Sequence, residues 1–177
     1  MISDWEYLGR ARNGEEEAWR LLFERHYGAL VRMSALIIGS IDTAKDIAQE
    51  AFTCLLHDRN EHHGGSFRAY VSTIAFRLAL KEKARVRRIG QSGHPESADD
   101  SYSPLHSVMQ REEQRHLVRV IHMLPDQYRE TIVLRFYGEL SYEEMAETLG
   151  VPVGTVKSRI FYAVKECRKL MKKRGML

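Results

Sequence analysis

The sequence predicts an all-α protein: two small helical domains joined by a flexible linker, the second domain carrying a helix-turn-helix. Three observations lead there. Apolar residues return at steps of three and four in both halves of the chain, the period of one helix face. No stretch alternates apolar and polar residues as a half-buried strand does. Residues 89–110 hold Gly90, Ser92, Gly93, Pro95, Ser97, Asp99, Asp100, Ser101, Ser103 and Pro104 with little apolar period, a composition that favours a connection over a packed element. The domains therefore read as 1–88 and 111–177, each within the usual range of a small domain.

In the first domain, Trp19, Leu22, Phe23, His26 and Leu30 lie along one helix face. Asp42 is expected to cap a second helix, whose apolar face is Ile47, Ala48, Ala51, Phe52 and Leu55. His62, His63, Gly64 and Gly65 interrupt the pattern. A third helix is expected from Phe67 to about Arg88, with Val71, Ile74, Ala75, Leu78 and Ala79 inside. After the linker, Leu117, Val120, Ile121 and Leu124 form an i, i+3, i+4, i+7 stripe. Pro125 follows, then a helix marked by Ile132, Val133 and Phe136 that Gly138 should end.

The next residues are the most informative. Ser141-Tyr142-Glu143-Glu144 fits a capping box, in which Ser141 accepts from the Glu144 amide and the Glu144 carboxylate reaches back. Met145, Ala146 and Leu149 give this short helix its buried face. Gly150 is placed to end it in a left-handed conformation that a Cβ would make costly. Pro152 suits the start of the following helix. Its apolar face is Val156, Ile160, Ala163, Val164, Cys167, Leu170 and Met171. The opposite face shows Thr155, Lys157, Ser158, Arg159, Phe161, Tyr162, Lys165 and Arg168. Aromatic side chains set among basic ones on an exposed helix face suit DNA in a major groove.

Composition narrows the function classes. With 177 residues, 44% hydrophobic and 29% charged, the chain is ordinary for a soluble globular protein. It has no run near the roughly 18 apolar residues of a membrane span. Asp4 and Glu6 stand where a signal peptide would be basic, and the two cysteines, Cys54 and Cys167, make no disulfide framework, so a cytoplasmic protein is expected. The net charge of +3 hides two basic segments: residues 61–88 carry +5 and residues 155–177 carry +7, each preceded by an acidic stretch. Two separate basic footprints suit two contact zones on nucleic acid. Cys54, His57, His62 and His63 have no zinc-site spacing. Nothing resembles a phosphate-cradling glycine loop or a nucleophile elbow. No metal, no cofactor and no enzymatic activity are expected.

The run Leu124-Pro125, Arg129, Ser141-Tyr142-Glu143-Glu144-Met145-Ala146 and Leu149 to Arg159 closely resembles the −35-reading domain (region 4) of extracytoplasmic-function sigma factors, the smallest group of the bacterial sigma-70 family. Asp46-Ile47-Ala48-Gln49-Glu50-Ala51-Phe52 resembles that family's core-polymerase-binding helix in region 2. Phe67-Arg68-Ala69-Tyr70-Val71, Ile74-Ala75 and the basic stretch from Arg77 to Arg88 resemble its −10 segment. The chain departs from the family's usual residues at Tyr70, at Phe76-Arg77 and at Tyr162, which bears on the promoter it reads.

The resemblance implies an RNA polymerase sigma factor that binds core polymerase and directs promoter-specific initiation. Asp46, Gln49, Glu50 and Thr53, one polar stripe at i, i+3, i+4 and i+7, would dock on the clamp helices of the polymerase β′ subunit. The loop Arg59–Gly65, with Asn60 and His63, would capture the −10 strand, and Arg77, Lys81, Arg85 and Arg88, which share a helix face, would hold its phosphates. At the −35 element, Arg135, Ser158, Phe161 and Tyr162 would lie near bases and Thr155, Lys157 and Arg159 near the backbone. The family also implies an anti-sigma factor as a partner, without direct membrane insertion. The alternative carried forward is a helix-turn-helix regulator that binds its operator without polymerase.

Overall fold

The computed structural model describes residues 2–58, 65–90 and 112–175. Eight helices and no strand occur among the described residues: α1 (Asp4–Arg12), α2 (Glu16–Ile38), α3 (Ile41–His57), α4 (Phe67–Gly90), α5 (Glu112–Met123), α6 (Asp126–Phe136), α7 (Tyr142–Leu149) and α8 (Val153–Lys173). The third expected helix runs to Gly90, two residues past Arg88 and into the expected linker. Most of that linker lies outside the described residues.

Helix α1 was not expected, because nine residues are too few to show a clear apolar period. Its start was nonetheless written in Ser3-x-x-Glu6. Ser3 Oγ accepts from the Glu6 amide at 3.2 Å, and the Ser3 amide donates to the Glu6 carboxylate at 2.8 Å. Helix α1 is tied down by Arg12, whose guanidinium donates twice to the Leu55 carbonyl at the end of α3 (3.1 and 2.8 Å). The cap of α3 is a correction to the sequence reading. Ser40, not Asp42, is the N-cap and accepts from the Thr43 amide, while Asp42 lies exposed in the first turn. Both residue types cap well; Ser40 lies directly after Gly39, whose left-handed φ of 85° ends α2.

Helices α1, α3 and α4 pack around α2. Leu22, Leu30, Leu36, Phe52, Leu55, Val71 and Phe76 fill the space between them, with Trp19 and Phe23 edging onto Phe52. Helices α6 and α7 pack on α8. Leu124, Ile132 and Ala163 are buried there, while Val164, Cys167 and Leu170 are only partly covered. Phe136, one of the three residues that mark α6 in the sequence, is 59% exposed at its end.

The two halves are docked on each other. Helices α5 and α6 lie against α2, and Val118, Ile121, Val133, Leu134, Leu140, Met145 and Val156 join the core of the first half in one continuous apolar cluster. The tightest joint is Gly138. A Cβ there would meet the Leu134 carbonyl oxygen at 2.8 Å, Leu140 Cδ1 at 2.9 Å and Met33 sulfur at 3.4 Å. The carbonyl belongs to α6 and cannot rotate away. Polar bonds run alongside: Arg68 of α4 donates to the Tyr137 carbonyl at 3.1 Å and pairs with Glu139 at 3.0 Å. Glu139 has a φ of 59°, a left-handed conformation rare for a residue with a Cβ.

Two outcomes test this packing. Gly138→Ala should cost about 1–3 kcal/mol, the usual range for forcing an atom into a filled site; urea unfolding at wild-type stability would show that the joint yields. The second concerns His26, which is buried with Nε2 2.8 Å from the Asp4 carboxylate. Burial lowers its pKa below the ordinary 6.5, against the opposing pull of Asp4. The unfolded chain then binds this proton more tightly than the folded one. His26 therefore supports folding fully above about pH 6.5 and progressively less as pH falls through its folded pKa. Between pH 7 and 5 the melting temperature should fall more in the wild type than in His26→Gln; parallel curves would exclude His26 as the source.

Candidate nucleic-acid interface

The helix-turn-helix is built as its residues dictate. Ser141 Oγ accepts from the Glu144 amide at 3.1 Å, and Glu144 Oε2 accepts from the Ser141 amide at 2.7 Å. Gly150 ends α7 with a φ of 65°. The Val151 amide then returns to the Ala146 carbonyl, and Pro152 precedes the first residue of α8. Met145 and Val156 are fully buried between the helices.

This seating leaves one face of α8 open. Phe161 is 64% exposed and Tyr162 49%, with ring centroids 5.4 Å apart and nearly perpendicular. Lys157 and Ser158 are exposed beside them, and Thr155 and Arg159 are half-buried. Ser158 Oγ donates to the Thr155 carbonyl at 2.9 Å, so its hydroxyl oxygen still has acceptor capacity. Large aromatic rings turned to solvent on a basic helix are costly unless something covers them.

Arg135 has a different setting. Its Nη1 donates to the Leu140 carbonyl at 2.8 Å and its guanidinium carbon lies 5.2 Å from the Tyr142 ring centroid. Lys157 Nζ approaches the same ring at 5.9 Å. Tyr142 thus collects one cation from α6 and one from α8, joining three helices at the edge of the open face.

The acidic stripe sits on α3, far along the chain. Asp46, Gln49, Glu50 and Thr53 are all exposed, opposite the buried Ile47, Ala48, Ala51 and Phe52. Thr53 Oγ1 donates to the Gln49 carbonyl at 3.1 Å. Asp46 and Glu50 form one wall of an open cleft of about 500 Å³ whose other wall is α4, through Leu78, Lys81, Glu82, Arg85 and Arg88. The acid wall and the basic wall therefore share one groove.

Two family models match the chain: Sigma-70 region 2 over residues 22–89 and Sigma-70 region 4 over residues 114–167. The ECF RNA polymerase sigma-E factor of Escherichia coli K12 is 30% identical over 179 residues, covering 92% of this chain and 91% of that protein. The ECF sigma factor SigW of Bacillus subtilis is 26% identical over 191 residues, covering 93% and 95%. The chain belongs to the extracytoplasmic-function sigma factors of the sigma-70 family. The fold agrees. A sigma factor RpoE solved with the anti-sigma factor NepR from Bartonella quintana superposes with a TM-score of 0.65 at 22% identity, over 86% of this chain and 96% of that one. CnrH, solved with the cytosolic domain of CnrY, gives 0.68 at 22% identity, over 97% and 99%.

Within this sigma factor, Arg77, Lys81, Arg85 and Arg88 lie exposed along α4. Arg85 is partly engaged by Glu82 at 2.7 Å. Asn60 and His63 fall outside the described residues. Tyr70, a departure from the family pattern, donates its hydroxyl to Asp58 at the end of α3 and stands 5.4 Å from the Trp5 ring. Burial, with the neighbouring Asp58 carboxylate adding to it, raises the pKa of this phenol.

Sequence reasoning missed Lys83 and Arg87, which lie on α4 among the predicted basic residues but turn toward the second half. It also left Arg129 as a motif residue without a role. Its Nη2 donates to the His122 and Leu124 carbonyls (3.1 and 3.0 Å), closing the open end of α5. A basic side chain can satisfy the last carbonyls of a helix, but here it comes from the next helix, and only the fold brings it there.

Phe161→Ala should weaken discrimination at the −35 element by about 1–3 kcal/mol, the worth of one good base contact. Run-off transcription from paired promoters checks it; unchanged selection would remove Phe161 from base reading.

Proposed function

We propose that this sigma factor binds core RNA polymerase through the Asp46, Gln49, Glu50 and Thr53 stripe of α3, reads the −10 element with α4 and the loop before it, and reads the −35 element with α8. The observation that supports this best is the exposed Phe161–Tyr162 pair on the basic face of α8, coupled to a separate acidic face on α3. The first suits base edges and phosphate, the second a basic protein surface. Charge complementarity at such a protein surface supplies specificity and association rate more than affinity. Strand opening without ATP needs the unstacked bases to be captured, and the cost of a few kcal/mol per base must be returned by stacking and hydrogen bonds. The basic face of α4 holds phosphate beside that step, so DNA binding should weaken steeply with salt. Bond-making belongs to the polymerase, and the sigma factor works in the cytoplasm.

RpoE and CnrH were solved with the anti-sigma factor NepR and the cytosolic domain of CnrY. We extend a partner of the anti-sigma class to this chain. The operator-binding alternative is not favoured, because the chain matches region 2 as well as region 4 and a stand-alone helix-turn-helix needs no region 2.

Glu50→Lys should abolish co-purification with core polymerase while leaving the circular dichroism and melting temperature near wild type, because Glu50 is exposed. Normal co-purification would take Glu50 out of the interface. In a gel shift, the wild type should bind promoter DNA weakly alone and tightly with core polymerase. Tight polymerase-independent binding to a two-fold site would overturn the reading.

A further inference from the structure

Helix α1 lies outside residues 22–89, the stretch matched by the region 2 family model, yet it reaches the end of α3 and the residues that lead into α4. Trp5 and Arg12 stand two helical turns apart and so share one face about 10 Å long. At one end of that face the Arg12 guanidinium closes on the Leu55 carbonyl in the last turn of α3 (3.1 and 2.8 Å). At the other end the Trp5 indole Nε1 donates to the Gly65 carbonyl at 3.3 Å. Gly65 stands two residues before α4 with a φ of 86°, a conformation that a side chain would strain. Asp4, beside Trp5, is itself held to α2: Oδ2 lies 2.8 Å from His26 Nε2, and Oδ1 pairs with Arg25. The turn that carries Trp5 is therefore fixed in place.

Tyr70 supplies the matching bond at the other side. From the first turn of α4 it donates its hydroxyl to the carboxylate of Asp58, the C-cap of α3. Burial and the Asp58 charge raise the pKa of this phenol, so the hydroxyl keeps its proton and remains a donor. The rings lock together: Trp5 meets Phe67 edge-on at 5.2 Å and Tyr70 at 5.4 Å, and Phe67 is buried against His26 at 5.0 Å. Packing alone needs only the rings. The indole N–H and the phenol O–H do something further, because they end on Gly65 and Asp58, the two described residues between which the chain passes from α3 to α4.

We propose that Trp5 and Tyr70 are positioning residues for the −10 element: they fix where the chain leaves α3, at Asp58, and where it enters α4, at Gly65, and so set −10 discrimination without touching DNA. The proposal rests on the sigma-factor reading given above. Groups that recognise a ligand discriminate best when their supports are locked by packing and hydrogen bonds before the ligand arrives. Ordering that has been done in advance is not charged against capture of the base. Helix α1 thereby acquires a role in promoter selection although it carries none of the DNA-facing residues. The departure at Tyr70 fits the same device, since its hydroxyl is the group that reaches Asp58.

The test uses the full chain with core polymerase, on a promoter selected from a randomised pool by the wild-type holoenzyme. Trp5→Phe keeps a ring against Phe67 and removes the N–H donor. Tyr70→Phe keeps the ring and removes the hydroxyl. Run-off transcription is compared between the selected promoter and its single-base substitutions, first at −10 and then at −35. Each variant should lose about three- to ten-fold of the −10 discrimination, the worth of one hydrogen bond. Discrimination at −35 and co-purification with core polymerase should stay at wild-type values. Unchanged −10 discrimination in both variants would overturn the proposal. So would an equal loss at −10 and −35, which is what a general loosening of the fold produces. Should Trp5→Phe fail to fold, Tyr70→Phe decides. If the wild-type holoenzyme itself does not distinguish the −10 substitutions, the functional reading fails first and the proposal falls with it.

Discussion

Between Leu30 and Ile37 every side chain of α2 except that of Arg32 is buried, and both halves of the protein meet on that stretch. A surface helix buries one stripe; a helix buried nearly all round has neighbours on every side. Helices α1, α3 and α4 cover one side, α5 and α6 the other. The placement of α4 and α8 follows from this shared support. Helix α4 is set by its packing on α2 and α3, and α8 by its packing on α6 and α7, with α6 itself resting on α2. Small residues make the close approach: Gly138 lets the turn after α6 close beneath Met33 and Leu140.

Opposite charges meet within the molecule. The basic helix α4 has acid on both flanks. Asp46 and Glu50 lie across the cleft from Lys81, Arg85 and Arg88, and Asp126 and Glu130 hold Lys83 and Arg87. The exposed Arg87 adds little to stability, about 0–1 kcal/mol for a surface pair, whereas Lys83 and Glu130 are each only 17% exposed and are screened less.

The open face of α8 is held differently. There the scaffold is fixed before any ligand arrives: a capping box starts α7, a left-handed glycine ends it, and Tyr142 gathers Arg135 and Lys157 between α6 and α8. Phe161 and Tyr162 remain outside this network, with Tyr162 where the family often has arginine. An aromatic at that position offers a stacking or apolar contact in place of a charge-assisted one.

Local signals carried most of the fold. The period of apolar residues, the Ser141–Glu144 box, Gly150 and Pro152 describe helices and turns through interactions within a few residues, so the sequence by itself determined the helical class and the helix-turn-helix. The family motifs, also local, carried the functional identity. Helix α1 was legible in Ser3 and Glu6 but too short for periodicity, and Ser40 outcompeted Asp42 as a cap because Gly39 ends α2 immediately before it. What only the tertiary structure decided is the docking of the halves. Asp126 meets Lys83 and Arg87 from 39 to 43 residues away, and Arg68 meets Glu139 from farther still. Contacts at such separation depend on how two helical surfaces fit, and no spacing within one element encodes that fit.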